Sequence, residues 1–152
     1  VYLHSVQNIN WDSGMDAVSA AVRLTKDKIS TMEKVRAIYE YVTENIKYDR
    51  QKSGKTTSGY LPDIEDTYRT KTGICYDYSS LFAAMLRSTG IPAKLVTGYT
   101  THTAGYHAWN EVYIKELDEW ITIDTTVDSV LKGSKKIQMI KDPKNYSTKY
   151  IY

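Results

Sequence analysis

The chain has 152 residues, one cysteine, one phenylalanine and a formal net charge of only +2. One cysteine excludes an internal disulfide framework and any zinc site built on several thiolates. No run of about 18 apolar residues occurs, so no segment reads as a membrane-spanning helix. A charge of +2 is too weak to point to nucleic acid. The lack of Phe is set against 14 Tyr. Most of the aromatic bulk therefore carries a hydroxyl, which suits half-wet surfaces, strand faces and clefts. No internal repeat or low-complexity block is present. The length suits one domain over 1–152, large enough to bury roughly 68–70% of its unfolded surface.

Charge is unevenly spread. Ser129 to Tyr152 holds six lysines and one acid, Asp142, for +5. A plain solvated terminus and a contact for an anionic polymer both fit this basic C-terminal segment, 129–152. The chain opens on Val1 rather than Met. That reads as a processed or trimmed product and gives the expectation of an extracellular or cell-envelope setting. A lone cysteine is compatible with either redox compartment.

Asp12 to Thr25 reads as a loosely amphipathic helix, with Asp12 or Ser13 as cap and Val18, Ala21 and Val22 on its apolar side. Ser30-Thr31-Met32-Glu33 fits a capping box. Val35, Ile38, Tyr39, Val42 and Ile46 then recur at helical spacing, predicting a helix to about Asn45. Asp49 to Tyr60 is polar, holds two Gly and lacks periodicity. It reads as a loop, either a plain excursion or the wall of a site. A third helix begins near Cys75, with Tyr78, Leu81, Phe82 and Met85 on one face and Gly90-Ile91-Pro92 as its stop. Its other face carries little charge beyond Asp77 and Arg87, which predicts a central position. Strands are expected at Ala93–Tyr99, Ala108–Ile114 and Trp120–Asp124, with Glu116 to Glu119 as the turn between the last two. Helices followed by a meander give an α+β order.

Cys75 follows Thr72-Gly73-Ile74 at a predicted helix start. There, unpaired N–H groups and positive potential favour a thiolate and can hold an oxyanion. The plainer alternative is a small buried apolar residue. A cysteine nucleophile needs an imidazole partner. His4 lies near the chain start and His102 in a Thr-rich loop. His107 opens a strand, where a rigid element can aim it, although a half-buried structural His fits too. Asp124 ends the next strand and can orient an imidazole. It also suits a turn capped through its carboxylate. With Glu116–Glu119 as the turn, His107 and Asp124 are out of step unless a bulge or longer turn intervenes. His102, His107, Asp124 and Asp128 offer N and O donors, but no zinc-type spacing and no calcium loop is present. No metal and no cofactor is expected.

Thr72-Gly73-Ile74-Cys75-Tyr76-Asp77-Tyr78-Ser79-Ser80-Leu81 resembles the transglutaminase-like superfamily. So do Gly90-Ile91-Pro92-Ala93, Val96-Thr97-Gly98-Tyr99, His107-Ala108-Trp109-Asn110-Glu111-Val112 and Trp120-Ile121-Thr122-Ile123-Asp124-Thr125-Thr126. Ile46-Lys47-Tyr48-Asp49 is similar to the lead-in of that family. The resemblance spans roughly Ser30 to Asp128, the expected catalytic core of about 30–128. It implies a papain-like α+β core, with the nucleophile helix packed on an antiparallel sheet. By position it implies Cys75 as nucleophile, His107 as base and Asp124 as orienting acid, and it removes the register objection.

The chemistry so implied is acyl transfer on amide bonds through a thioester. For small bacterial-looking members the resemblance favours hydrolysis of a protein or peptide substrate. Cross-linking or deamidation is one alternative. A non-catalytic module that binds a cell-wall or cell-surface polymer is another. Papain-type proteases place a Gln a few residues before the nucleophile, whereas Gln occurs here only at 7, 51 and 138. The oxyanion donor is then a phenol, from Tyr60 or Tyr48, or the backbone alone. Packing roles fit each Tyr equally well. Tyr76 and Asp77 flank the nucleophile as further substrate-site candidates, and Asp77 also suits a helix cap. Trp109 either shields the His–Asp pair or fills core.

Overall fold

The computed structural model describes residues 1–53, 59–133 and 137–152. The best-specified helix is α2 (Thr31–Asn45), closed at its start by the capping box of Ser30 and Glu33. Its stripe of Val35, Ile38, Tyr39, Val42 and Ile46 is buried. A second cap comes from far along the chain. The Glu116 carboxylate accepts from the Thr31 N–H (2.7 Å) and hydroxyl (2.6 Å), placing an anion at the positive end of the helix.

Helix α1 (Asp16–Thr25) starts later than the Asp12 or Ser13 cap predicts. Asp12 Oδ1 instead accepts from the Gly14 N–H, a local turn. The first turn of α1 is capped from another element. Glu65 accepts from the N–H groups of Asp16 (2.8 Å) and Ala17 (3.2 Å). Ala17, Ala20 and Ala21 pack inward, while Val22 stays exposed. Glu65 belongs to α4 (Ile64–Thr70), a helix that the apolar pattern did not reveal. Its signal was the cap: Asp63 accepts from the Asp66 N–H at 3.0 Å.

The polar stretch 49–60 contains more order than a loop. Strand β1 (Lys47–Tyr48) pairs in parallel with β2 (Thr72–Gly73), and α3 (Arg50–Ser53) follows β1. Residues 54–58 of that stretch lie outside the described residues.

Helix α5 (Cys75–Ser88) is the centre of the fold, as its sparse charge predicted. Tyr78, Leu81, Phe82 and Met85 are fully buried. It packs against α1, α2 and α4 on one side and against the sheet on the other. Gly90 (φ 84°) ends it in a Schellman motif, with Gly90 N–H on the Arg87 carbonyl and Ile91 N–H on Leu86. Arg87 is also buried. Its guanidinium donates to the carbonyls of His4 (2.7 Å), Ala93 (2.9 Å) and Tyr152 (3.1 Å), tying both ends of the chain to the helix.

Strands β3 (Ala93–Thr100), β4 (His107–Ile114) and β5 (Glu119–Ile123) form the expected antiparallel meander. Helix α6 (Thr125–Val130) follows β5 directly. The basic segment then supplies two further strands, β6 (Ile140–Lys141) and β7 (Tyr146–Ile151). The sheet order is β6-β5-β4-β3-β7, all antiparallel. The described part of 129–152 is therefore integrated into the sheet, and residues 134–136 lie outside the described residues. Composition hid this, because lysines on an edge strand read like lysines on a free tail. Gly98 makes the closest approach possible. A Cβ there would stand 2.0 Å from the Ser147 carbonyl oxygen, at the bulge where β7 meets β3.

Candidate active site

Cys75 is the first residue of α5, half-buried, and lines a cleft of about 1090 Å³. His107 opens β4 and Asp124 follows the last residue of β5. The β4–β5 register pairs Asn110 with Ile123, so Asp124 comes level with Trp109, two positions from His107. Residues two apart project from the same side of a strand. This diagonal resolves the mismatch expected from a turn at Glu116–Glu119, and no bulge is needed. His107 Nε2 and Asp124 Oδ2 are 2.9 Å apart and both side chains are buried.

With Nε2 on Asp124, Nδ1 is the ring nitrogen left for Cys75. Burial pushes an imidazolium pKa down. Here the hydrogen bonds and charges of Asp124 and of the Cys75 side chain outweigh it, raising His107 to about 10. Asp124 makes two kinds of contact. Oδ2 faces His107, while Oδ1 accepts the Val127 N–H (3.2 Å) as the N-cap of α6.

Asn110 ties the histidine strand to the cysteine helix. Its Nδ2 donates to the carbonyls of Ser79 and Lys94, both at 3.0 Å, and Ser79 Oγ donates back to the Cys75 carbonyl at 2.8 Å. These bonds link the backbones that carry Cys75 and His107. Trp109 is buried and lies nearly parallel to the imidazole, ring centroids 6.2 Å apart at 22°. It does not line the cleft, so it backs the histidine from within.

The other flagged residues have other partners. Asp77 caps α5, accepting the Ile74 N–H on Oδ2 at 2.9 Å. Lys52 binds the same oxygen at 2.9 Å, and the Tyr60 hydroxyl donates to Oδ1 at 2.5 Å. Burial and this bond to Asp77 push the Tyr60 phenol up to about 12. Tyr48 donates to Ser53 Oγ at 3.0 Å. The Tyr76 hydroxyl accepts from Asn8 Nδ2. Tyr48, Tyr60 and Tyr76 all line the cleft, with Tyr106, Tyr150 and Tyr152. The Tyr excess of the composition is thus concentrated here, in a cleft whose described lining has no carboxylate and one Arg, Arg50.

Sequence reasoning missed the contribution of the chain ends. Gln7 and Asn8 line the cleft beside Cys75, although they lie far from it in sequence. Tyr146 reaches Asp124 from β7. Neither has a signal in spacing, since both arrive by tertiary pairing. Among the described residues, no group of three or more His, Cys, Asp or Glu is placed to hold a metal. Asp128 is engaged by Tyr39 (2.6 Å) and Lys141 (2.5 Å), and His102 packs on Tyr146.

Uncharacterized protein YebA of Bacillus subtilis is 32% identical over 125 residues, covering 70% of this chain and 17% of the relative. Kyphoscoliosis peptidase of Mus musculus is 32% identical over 120 residues, covering 71% and 17%. The chain thus spans less than a fifth of these curated relatives. Among solved structures, a candidate cysteine protease from Cytophaga hutchinsonii superposes with a TM-score of 0.67 at 28% identity, covering 82% of this chain and 40% of that one. The papain-like and transglutaminase-like arrangement of helix and sheet is shared with such neighbours. A helix-start cysteine beside a strand-borne His–Asp pair sits within residues 18–125, which match the sequence profile of the Transglutaminase-like superfamily, and the chain belongs to that superfamily.

Proposed function

We propose that this domain is a cysteine-dependent acyl-transfer enzyme that hydrolyses amide bonds of a protein or peptide. The observation that carries this reading is the buried 2.9 Å contact between His107 and Asp124, with Cys75 opening into the same cleft. Cys75 Sγ attacks the amide carbonyl as a thiolate, paired with the His107 imidazolium. The oxyanion meets the N–H groups of Cys75 and Tyr76, in the first turn of α5, where no intrahelical acceptor is available. The Ile74 N–H is already taken by Asp77. The tetrahedral intermediate collapses, the C–N bond breaks, and His107 gives its proton to the leaving amine. Water then attacks the thioester, His107 accepts a proton from it, and the acid departs with Cys75 restored. Asp124 keeps the ring oriented and stabilises its charged form.

A cleft of about 1090 Å³ accommodates an extended segment of polypeptide better than a small metabolite. Transamidation is the second reading, because an amine can replace water at the same thioester. It is favoured by a largely uncharged tyrosine lining that limits water around the intermediate. A peptide-library cleavage screen, run in parallel with incorporation of a fluorescent primary amine into glutamine-containing peptides, separates the two. Cys75→Ala is expected to abolish both activities while leaving the fold intact, and unchanged turnover in that variant would overturn the reading. A polymer-binding module without catalysis instead predicts an ordinary, slow thiol at Cys75 towards iodoacetamide.

A further inference from the structure

Tyr146 lies outside the segment that matches the superfamily, 18–125, yet inside the site. Its hydroxyl donates to Asp124 Oδ2 at 2.9 Å, the oxygen that also holds His107 Nε2. The Val127 N–H occupies Oδ1. The Tyr146 ring packs on Trp109, centroids 4.9 Å apart, and Trp109 in turn lies along the imidazole. Strand β7, which Tyr146 opens, reaches this place because Gly98 lets its backbone come close.

We propose that Tyr146 is a positioning residue for the Cys75–His107–Asp124 group: its phenol locks the Asp124 carboxylate so that Oδ2 stays on His107, and its ring holds Trp109 against the imidazole. The proposal rests on the acyl-transfer reading above. Val127 alone would leave Oδ2 free to swing about the anchored Oδ1. A second donor on Oδ2 removes that freedom and satisfies a carboxylate that is wholly buried. Burial, and then the charge of Asp124, push the Tyr146 phenol up, so it remains a donor across the working pH range. The groups facing this assembly are Cys75 from α5, His107 from β4 and Asp128 from α6. Asp128 is held by Tyr39 and Lys141, and His102, which lines the cleft, packs on the Tyr146 ring. The C-terminal segment thus completes a site that the matched core leaves open.

The protein has one thiol, so iodoacetamide reports on Cys75 alone. Alkylation rates are measured from pH 5 to pH 11 in the wild type, Tyr146→Phe, Asp124→Asn and the double variant, with thermal unfolding midpoints alongside. Phe keeps the ring, and with it the packing on Trp109. Tyr146→Phe is expected to slow labelling below about pH 8 by roughly 3- to 10-fold, the equivalent of one ordinary hydrogen bond felt through Asp124. The rates should converge with the wild type above about pH 10, where His107 has lost its proton. In the Asp124→Asn background the second substitution should add nothing. A uniform slowing at all pH values, an effect that persists without Asp124, or a Tyr146→Phe profile equal to the wild type each overturns the proposal. A wild-type profile like that of an ordinary thiol overturns the acyl-transfer reading instead, so the two failures are distinguishable.

Discussion

The Tyr60 hydroxyl donates to Asp77 Oδ1 at 2.5 Å. This bond turns a phenol facing the cleft into a brace for the start of the cysteine helix. Asp77 collects Tyr60, Lys52 and the Ile74 N–H on two oxygens, and its side chain is fully shielded from solvent. The brace and an oxyanion role make different demands on Tyr60. Tyr60→Phe should cost about 1 kcal/mol of stability, the ordinary worth of one hydrogen bond. It should slow turnover less than about tenfold, whereas loss of an oxyanion donor costs about 10²–10³ in kcat. Urea unfolding midpoints measured beside kcat distinguish the two.

Asp77→Ala removes all three interactions together. It leaves the Ile74 N–H unpaired at the helix start and Lys52 without its anion. Lys52 is partly exposed, so water recovers some of that loss. The expected destabilisation is about 2–4 kcal/mol. Chemical denaturation measures it, and a cost below 1 kcal/mol would show that Asp77 does not brace the helix.

The raised pKa of His107 has a directional consequence. Its folded value, about 10, lies above the ordinary 6.5. Protonated His107 therefore contributes stability that is fully present below about pH 6.5 and is lost as pH rises through about 10. Asp124→Asn should weaken the imidazolium and move this alkaline loss to lower pH. Thermal unfolding midpoints between pH 6 and pH 11 for both proteins check the sign, and an alkaline limb that stays in place would contradict it.

Gly98→Ala places a methyl where the Ser147 carbonyl oxygen stands 2.0 Å away. Backbone on both sides leaves no flexible chain end to yield, so β7 must shift. The expected cost is about 1–3 kcal/mol. Cys75 labelling should also show the altered pH profile of Tyr146→Phe, since the shift carries Tyr146 away from Asp124. Unchanged stability and labelling would mean that β7 does not need this approach.

Arg87→Leu deprives three carbonyls of their donor, and among the described residues no carboxylate shares this cation. Burial pulls its pKa down to about 10 against a smaller upward effect of Tyr2. The substitution should destabilise the fold by at least about 3 kcal/mol. Hydrogen exchange should rise first in residues 1–9 and 146–152, the segments that Arg87 ties down. A uniform increase across the protein would argue against a local tie.

Local chemistry made much of this protein legible in the sequence. The Ser30–Glu33 box, the stripe from Val35 to Ile46, the Gly90 stop and the alternation of β4 depend on residues within a few positions of one another. Caps and periodicity act at that range. The order Cys75, His107, Asp124 was legible because each residue stands at the end of a recognisable element. Other features had no local trace. Glu65 caps α1 and Glu116 caps α2 across 49 and 85 positions. Helix α4 is short and was missed because its evidence was a cap rather than an apolar stripe.

The sequence by itself determined which side chains stand at the start of α5 and at the ends of the central strands. The tertiary structure alone decided how they are supported. The diagonal register of β4 on β5 set His107 against Asp124. The fold of a lysine-rich segment into β7 brought Tyr146 to the same oxygen, while the bond from Ser80 to the Asn8 carbonyl and the tie of Arg87 to Tyr152 hold both chain ends beside the cleft. Pairing across a sheet and burial of charge depend on residues distant in the chain, and a pattern read along the chain carries no record of them.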